Sequence, residues 1–240
     1  MIILITGGAS GLGEAITRNL ASDNAATVYF TYNRSIINAR KIEADLKNTI
    51  ALKCDFSNIN DIDALKNKIN ELDLDVLINN AYTGGVIQTH FHKTPIIDFA
   101  ADFEKNLLPV ITITQAAING FRKRRSGKII TILTAILVNT PPSGSSVYTA
   151  NKAYLEQLTK IWSVENQKFN ITSNCVSPAF MLTDINKDVD ERIVEQLIQE
   201  HPLKRLLTTI EVAESVKFLV NATPQINGLN IVINSAANIK

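Results

Sequence analysis

Short apolar runs and longer amphipathic stretches alternate along almost the whole chain. Runs of Ile, Val and Leu, interspersed with Tyr, Phe and Thr, predict strands at Ile2–Thr6, Thr27–Tyr32, Ile50–Asp55, Val76–Asn79, Lys128–Leu133, Ile171–Val176 and Asn230–Ile233. The segments between them predict helices. No proline-rich or glycine/serine linker, low-complexity tract or repeat interrupts this order. Strand and helix in alternation predict a parallel sheet, and right-handed crossovers would put the helices on both of its faces. The expected fold class is therefore α/β, a Rossmann-like doubly wound sheet of about seven strands forming one domain over 1–240. In such a sheet the ligand lies beyond the carboxyl ends of the strands, which directs attention to the residues there.

The first strand runs straight into Thr6-Gly7-Gly8-Ala9-Ser10-Gly11-Leu12-Gly13, before an amphipathic stretch from Glu14 to Leu20. Glycines let the backbone turn tightly and approach a pyrophosphate, whose charge is met by the amides and dipole of the helix N-terminus. Gly7, Ser10, Gly11, Leu12 and Gly13 are thus candidates for a dinucleotide site, with an ordinary glycine-rich loop as the plainer reading. Tyr32-Asn33-Arg34-Ser35 follows the second strand, where an acidic side chain would hydrogen-bond the adenosine ribose of NAD. Tyr32 stands there instead. Asn33, Arg34 and Ser35 fit a 2′-phosphate, Arg34 and Ser35 through charge-assisted hydrogen bonds, so NADP(H) is favoured over NAD(H); the plainer reading of Arg34 is a surface cation. Cys54-Asp55-Phe56 ends the third strand, with Asp55 an acceptor for the adenine amine or a helix cap. Asn79-Asn80-Ala81 ends the fourth, as cofactor contacts or a simple turn.

Tyr148 and Lys152 are four residues apart in Tyr-Thr-Ala-Asn-Lys, which places a phenol and an ammonium on one helix face. A phenol rarely exchanges protons at neutral pH. An adjacent lysine cation stabilises the phenolate and is expected to draw its pKa toward the working range.

Composition narrows the function classes. The chain has 240 residues, 45% hydrophobic and 20% charged, enough for a sizeable core. A formal net charge of +1 implies no broad attraction to nucleic acid or anionic membrane, so Arg122-Lys123-Arg124-Arg125 reads as a solvated helix end. No apolar run approaches about 18 residues. Met1 leads directly into the first strand, and a cytoplasmic protein is expected. Cys54 and Cys175 read as reduced core residues, and His90 and His92 as a loop pair without the further ligands of a metal site.

Taken together these residues resemble the short-chain dehydrogenase/reductase family, especially its 3-oxoacyl-carrier-protein reductase branch and related carbonyl reductases. The resemblance covers nearly the whole chain: Thr6 to Gly13, Asp55, Asn79-Asn80-Ala81, Asn106, Tyr148 with Lys152, Asn174, Pro178 and Thr183. The order continues through Pro202-Leu203-Lys204-Arg205, Glu211-Val212-Ala213, Phe218-Leu219 and Ile226-Asn227-Gly228. It implies hydride transfer between a nicotinamide cofactor and a small-molecule or carrier-bound carbonyl substrate, with Tyr148 as proton donor. Lys152 would bind the nicotinamide ribose and lower the pKa of Tyr148, and Asn106 would hold a relay water. Phe56, Asn80, Ala81, Pro178 and Thr183 would line the cofactor, about 184–206 would form a substrate lid, and a homodimer or homotetramer is expected.

Four positions depart from that pattern. Ala135 stands where the family has its catalytic serine, about thirteen residues before the tyrosine, and losing such a donor typically costs about 100- to 1000-fold in rate. Thr134 is adjacent, but in extended chain neighbouring side chains face opposite ways, so its use needs a bulge or twist. Ser143, Ser145 and Ser146 are the other hydroxyls that could replace the serine. Tyr82 replaces a glycine and is expected to narrow the nicotinamide end. Ala179 replaces a further glycine and Asn234-Ser235-Ala236 replaces Asp-Gly-Gly, so the backbone there is expected to avoid positive φ. The alternative that Ala135 raises is a cofactor-binding, catalytically weak subunit acting as scaffold or partner of an active homologue.

Overall fold

The computed structural model describes residues 1–85, 88–183 and 189–237. Seven parallel strands, β1 (Ile2–Ile5), β2 (Thr27–Tyr32), β3 (Thr49–Lys53), β4 (Val76–Asn79), β5 (Gly127–Ile132), β6 (Ile171–Pro178) and β7 (Asn230–Ile233), form one sheet in the order β3-β2-β1-β4-β5-β6-β7. The helices are α1 (Gly11–Ala21), α2 (Ile36–Asp45), α3 (Ile59–Glu71), α4 (Ile96–Asn106), α5 (Leu108–Arg124), α6 (Ser146–Asn166), α7 (Glu191–Glu200) and α8 (Thr209–Asn221).

Strand pleating sends successive side chains to opposite faces, and β1 shows why the sheet needs two helical layers. Ile3 and Ile5 point to a core with Ile16 and Leu20 of α1, Ala39 and Ile42 of α2, and Val212 and Val216 of α8. Leu4 points the other way, toward Ile62 and Leu65 of α3, Ile113 and Phe121 of α5, and Leu155 and Trp162 of α6. Each such side chain contributes about 1.5–3 kcal/mol on burial, so neither face is stable uncovered. β5 opens on Gly127 because a Cβ there would lie 2.1 Å from the Phe121 ring.

Four strands end differently from the expectation, and of these β5, expected over Lys128–Leu133, runs Gly127–Ile132. β1 stops at Ile5 and Thr6 leaves the ladder, its hydroxyl accepting from the amides of Asn80 and Ala81. β3 runs Thr49–Lys53, because the Asp55 amide turns away to the Asp61 carboxylate at 2.8 Å. β6 extends to Pro178, beyond its last pairing with β5 at Val176, so the missing N–H of proline disrupts no ladder there. The basic cluster does end a helix. Arg122, Lys123 and Arg124 close α5, Arg125 is its left-handed cap at φ 54, and Arg122 lies 4.5 Å from the centroid of the Phe169 ring.

The glycine replacements divide. Ala179 is not among the residues with positive φ. Ser235 and Ala236, expected to avoid that region, occupy it at φ 52 and 58. The Asn234 amide explains this: its Oδ1 accepts from the Ala236 amide at 3.1 Å and its Nδ2 donates to the Ala237 carbonyl at 3.1 Å. These bonds frame a left-handed turn and offset the cost of about 1–2 kcal/mol per residue.

Of the expected lid, residues 184–188 lie outside the described residues; the remainder holds α7. Among the described residues no helix is long and apolar enough to cross a membrane.

Candidate active site

The sheet order reverses direction between β1 and β4, and the glycine turn sits at that crevice. Gly7 has φ 65 and Gly11 φ 52, conformations that glycine adopts without strain. The turn is tied on both sides: the Gly7 amide donates to Thr31 Oγ1 at 2.8 Å, and Asn80 Nδ2 donates to the carbonyls of Thr6 and Gly7 at 3.0 and 3.1 Å. Asn80 therefore stitches β4 to the turn. At Gly13 a Cβ would come within 1.9 Å of the Gly7 carbonyl oxygen. Gly13→Ala is expected to cost on the order of 1–3 kcal/mol through forced backbone movement, read as a lower thermal unfolding midpoint. Ser10 sits at the N-cap of α1 in extended conformation and makes no side-chain cap, so its hydroxyl and the following amides present an anion cradle. Leu12 and Gly13 are buried beneath it.

At the ends of β2 and β3, Asn33 and Arg34 converge on Asp55. Its carboxyl is held below the usual range, first by the Ser57 backbone amide at 2.9 Å and then by the side chains of Ser57, Asn33 and Arg34. Asp55 is not the helix cap; Asn58 caps α3, accepting from the Asn60 amide. Ser35 occupies the N-cap position of α2 without a side-chain cap bond, Arg34 is exposed, and Phe56 is buried beside them.

Tyr148 and Lys152 rise from the first turns of α6 toward the end of β5. Lys152 is buried and donates to the Ile132 carbonyl at 2.9 Å. Burial lowers its pKa to about 8, with Asp102 and Cys175 opposing. Tyr148 departs from the expectation: its pKa is raised, foremost by burial and further by Asp102, and the influence that lowers it is a hydrogen bond with Thr134 rather than the lysine. The ammonium stands 5.8 Å from the Tyr148 ring centroid, directed at the Ile132 carbonyl instead.

The hydroxyl beside the phenol is thus that of Thr134. β5 stops at Ile132, Thr134 stays extended at φ −159, and the chain at once enters a 3-10 turn at Ala135–Leu137. Strict alternation no longer applies past the strand end. Its oxygen also accepts from the Ile136 amide at 3.4 Å. Ala135 is buried at the start of the turn. Of the loop serines, Ser143 pairs with His90 Nδ1 at 3.2 Å, Ser145 donates to the Pro142 carbonyl at 2.7 Å, and the Ser146 hydroxyl is buried without a partner.

Asn106 ends α4, where the chain breaks at Leu107 before α5 starts at Leu108 with Pro109 in its first turn. Its amide clamps the Thr83 backbone: Oδ1 accepts from Thr83 N at 2.6 Å and Nδ2 donates to Thr83 O at 3.2 Å. One turn earlier lies Asp102, a buried carboxylate that the sequence did not single out. Asp102 accepts from Tyr82 Oη at 2.9 Å, Asn106 Nδ2 at 3.1 Å and Asn151 Nδ2 at 2.6 Å. Tyr82 packs edge-on to Tyr148 with ring centroids 5.3 Å apart. The signals available were the i,i+4 spacing of Asp102 and Asn106 and the adjacency of Asn151 to Lys152.

Pro178 closes β6 beside Ile233 of β7, and Thr183 is the last described residue before 184–188. Asn174, by contrast, serves the fold: its amide donates to the Ile226 carbonyl and accepts from the Leu229 amide. Cys54 and Cys175 are free and buried. Among the described residues no three His, Cys, Asp or Glu side chains gather as a metal site.

Known proteins place this geometry. A family model described as enoyl-(acyl carrier protein) reductase matches residues 7–236. The chain is 30% identical over 236 residues to nodulation protein G of a Rhizobium species, covering 96% of this chain and 94% of that protein. It is likewise 30% identical over 240 residues to a 3-oxoacyl-[acyl-carrier-protein] reductase of Buchnera aphidicola, covering 97% and 95%. Among solved structures, a short chain dehydrogenase from Burkholderia cenocepacia in complex with NADP superposes with a TM-score of 0.84 at 28% identity, covering 98% and 97%.

Proposed function

The chain belongs to the short-chain dehydrogenase/reductase family, and on that premise we propose that it is an NADP-dependent carbonyl reductase with Tyr148 as general acid and base. The observation that carries the reading is the Tyr148–Lys152 pair on the first turns of α6, with Lys152 buried and held by the Ile132 carbonyl, and Thr134 lowering the Tyr148 pKa against the effect of burial.

The cradle fits a dinucleotide. The pyrophosphate would meet the α1 N-terminus at Ser10, Gly11 and Leu12, in a turn that Gly7 and Gly13 let pack closely against Ala81, Asn80 and each other. Asp55 and Phe56 would flank the adenine, Asn33, Arg34 and Ser35 the 2′-phosphate, and Asn80, Ala81, Pro178 and Thr183 the nicotinamide half. When bound, the nicotinamide supplies or takes up the hydride. The chain's own residues handle the proton. Tyr148 donates its phenolic proton to the carbonyl oxygen, while the Thr134 hydroxyl donates a hydrogen bond to the same oxygen as charge builds there. Burial keeps the phenol protonated at neutral pH, the form that reduction requires. Lys152 returns the proton, and Asn106, which the resemblance makes the holder of a relay water, here has its amide on the Thr83 backbone.

In this reading Thr134 takes the part of the serine that Ala135 lacks, and the alternative is a catalytically weak, cofactor-binding scaffold subunit. The substrate is read as a ketone, free or carrier-bound, consistent with the carrier-protein reductase among the relatives. Assembly as a homodimer or homotetramer and a cytoplasmic location belong to the same reading.

Cofactor choice tests the 2′-phosphate assignment. NADPH is expected to bind more tightly than NADH in fluorescence titrations, and Arg34→Ala to weaken NADPH by about 10-fold, a charge-assisted contact of about 1.5 kcal/mol, while leaving NADH unchanged. Equal affinities in the parent chain, or an unchanged Arg34→Ala, would remove the assignment.

A further inference from the structure

Asp102 is a buried carboxylate, 8% exposed, at the centre of the site, and the mechanism above does not use it. It gathers three separate segments: Tyr82 from the loop after β4, Asn106 one turn along its own helix, and Asn151 from α6, the residue just before Lys152. Three donors on one carboxylate are what a buried anion needs, since an ionised group without them is strongly disfavoured away from water. The arrangement also accounts for Tyr82. An aromatic ring replacing glycine beside the catalytic pair could crowd it, but the Tyr82 hydroxyl is anchored on Asp102 and the ring is set edge-on against Tyr148 at 5.3 Å.

Lys152 needs such a neighbour. It is buried, it donates to the neutral Ile132 carbonyl, and its ammonium lies 5.5 Å from the Tyr82 ring centroid. The groups facing it are Asp102 from α4, Tyr82 from the loop after β4, Tyr148 on its own helix, the Cys175 thiol from β6 and the Ile132 carbonyl from β5. Of these, Asp102 is the carboxylate. A buried ammonium without an opposing charge tends to neutralise, and a neutral amine cannot return a proton to Tyr148.

We propose that Asp102 is a positioning residue of the Tyr148–Lys152 pair: its carboxylate is the counter-charge that keeps Lys152 an ammonium, and its bonds to Tyr82 and Asn151 fix both neighbours of the pair. The functional meaning rests on the reductase reading above, but the electrostatic core does not. The plainer alternative is that Asp102 merely ties α4 to α6, and charge distinguishes the two.

The test titrates lysine side chains by carbon NMR in the cofactor-free protein, with the Lys152 signal assigned by its loss in Lys152→Arg. In the parent chain Lys152 is expected to titrate near about 8. In Asp102→Asn, which keeps the shape and removes the charge, the midpoint is expected to fall by about one unit or more. Tyr82→Phe and Asn151→Ala each remove one hydrogen bond but keep the charge, and are expected to leave the midpoint in place while lowering thermal stability. An unchanged midpoint in folded Asp102→Asn overturns the proposal, as does an equal fall in the two charge-retaining variants. If Asp102→Asn does not fold, the Tyr82→Phe/Asp102→Asn double variant, which removes the donor along with the charge it serves, carries the same expectation. A parent chain inert toward every ketone offered with NADPH would count against the reductase reading, while the titration would still decide the role of Asp102.

Discussion

Tyr148→Phe is expected to lower ketone reduction by about 100- to 10,000-fold, since it deletes the proton donor and almost no volume. NADPH affinity should change little, because the ring still packs against Tyr82 and the cradle at Gly7 to Gly13 is remote from the missing hydroxyl. The pH profile of the parent follows from the same site. Tyr148 is raised by burial, so the phenol holds its proton through neutral pH. Lys152, at about 8, is the group that first loses its proton as pH rises. Reduction is therefore expected to be steady below that pH and to decline above it, whereas alcohol oxidation, which must hand a proton from Tyr148 to Lys152, should gain as the neutral amine becomes available to take it. Steady-state rates in both directions across pH check this. Full activity in a folded Tyr148→Phe would move the proton donor elsewhere and return weight to the scaffold reading.

The parts of this site that the sequence made readable are those whose physics is local. Alternation located all seven strands because a two-faced sheet leaves each one a short apolar run, and the glycine turn was readable because Gly7 and Gly11 need positive φ and Gly13 has no space for a Cβ. The parts that were hidden depend on partners distant in sequence. Asp102 looks like any acid on an amphipathic helix, alongside Asp98 and Glu104, until Tyr82 and Asn151 close on it. The raised pKa of Tyr148 was hidden because spacing alone puts Lys152 on the same helix face, but cannot say that the ammonium turns to the Ile132 carbonyl. Ser235 and Ala236 adopt positive φ because the Asn234 side chain substitutes for glycine's freedom, an exchange that residue types by themselves did not reveal.

Thr134 decides whether this active site is complete. Thr134→Ala is expected to cost about 100- to 1000-fold in kcat, roughly 3–4 kcal/mol, by removing a preorganised donor aimed at the developing charge. Thr134→Ser keeps the hydroxyl and should retain most activity. Because Thr134 also accepts from the Ile136 amide, a merely structural role predicts a lower thermal midpoint with the remaining folded enzyme fully active. Ala135→Ser discriminates further. If Thr134 already serves the substrate oxygen, a serine at the buried first position of the 3-10 turn should change little. If Thr134 only steadies the phenol, the same substitution should raise reduction of a simple ketone by up to about 100-fold, the contribution of one restored donor. A Thr134→Ala enzyme at full kcat together with an accelerated Ala135→Ser enzyme would mean that the position thirteen residues before Tyr148, and not the neighbouring threonine, governs the substrate oxygen. We expect the opposite outcome, since β5 releases the chain at Ile132 and Thr134 is the hydroxyl that lowers the Tyr148 pKa.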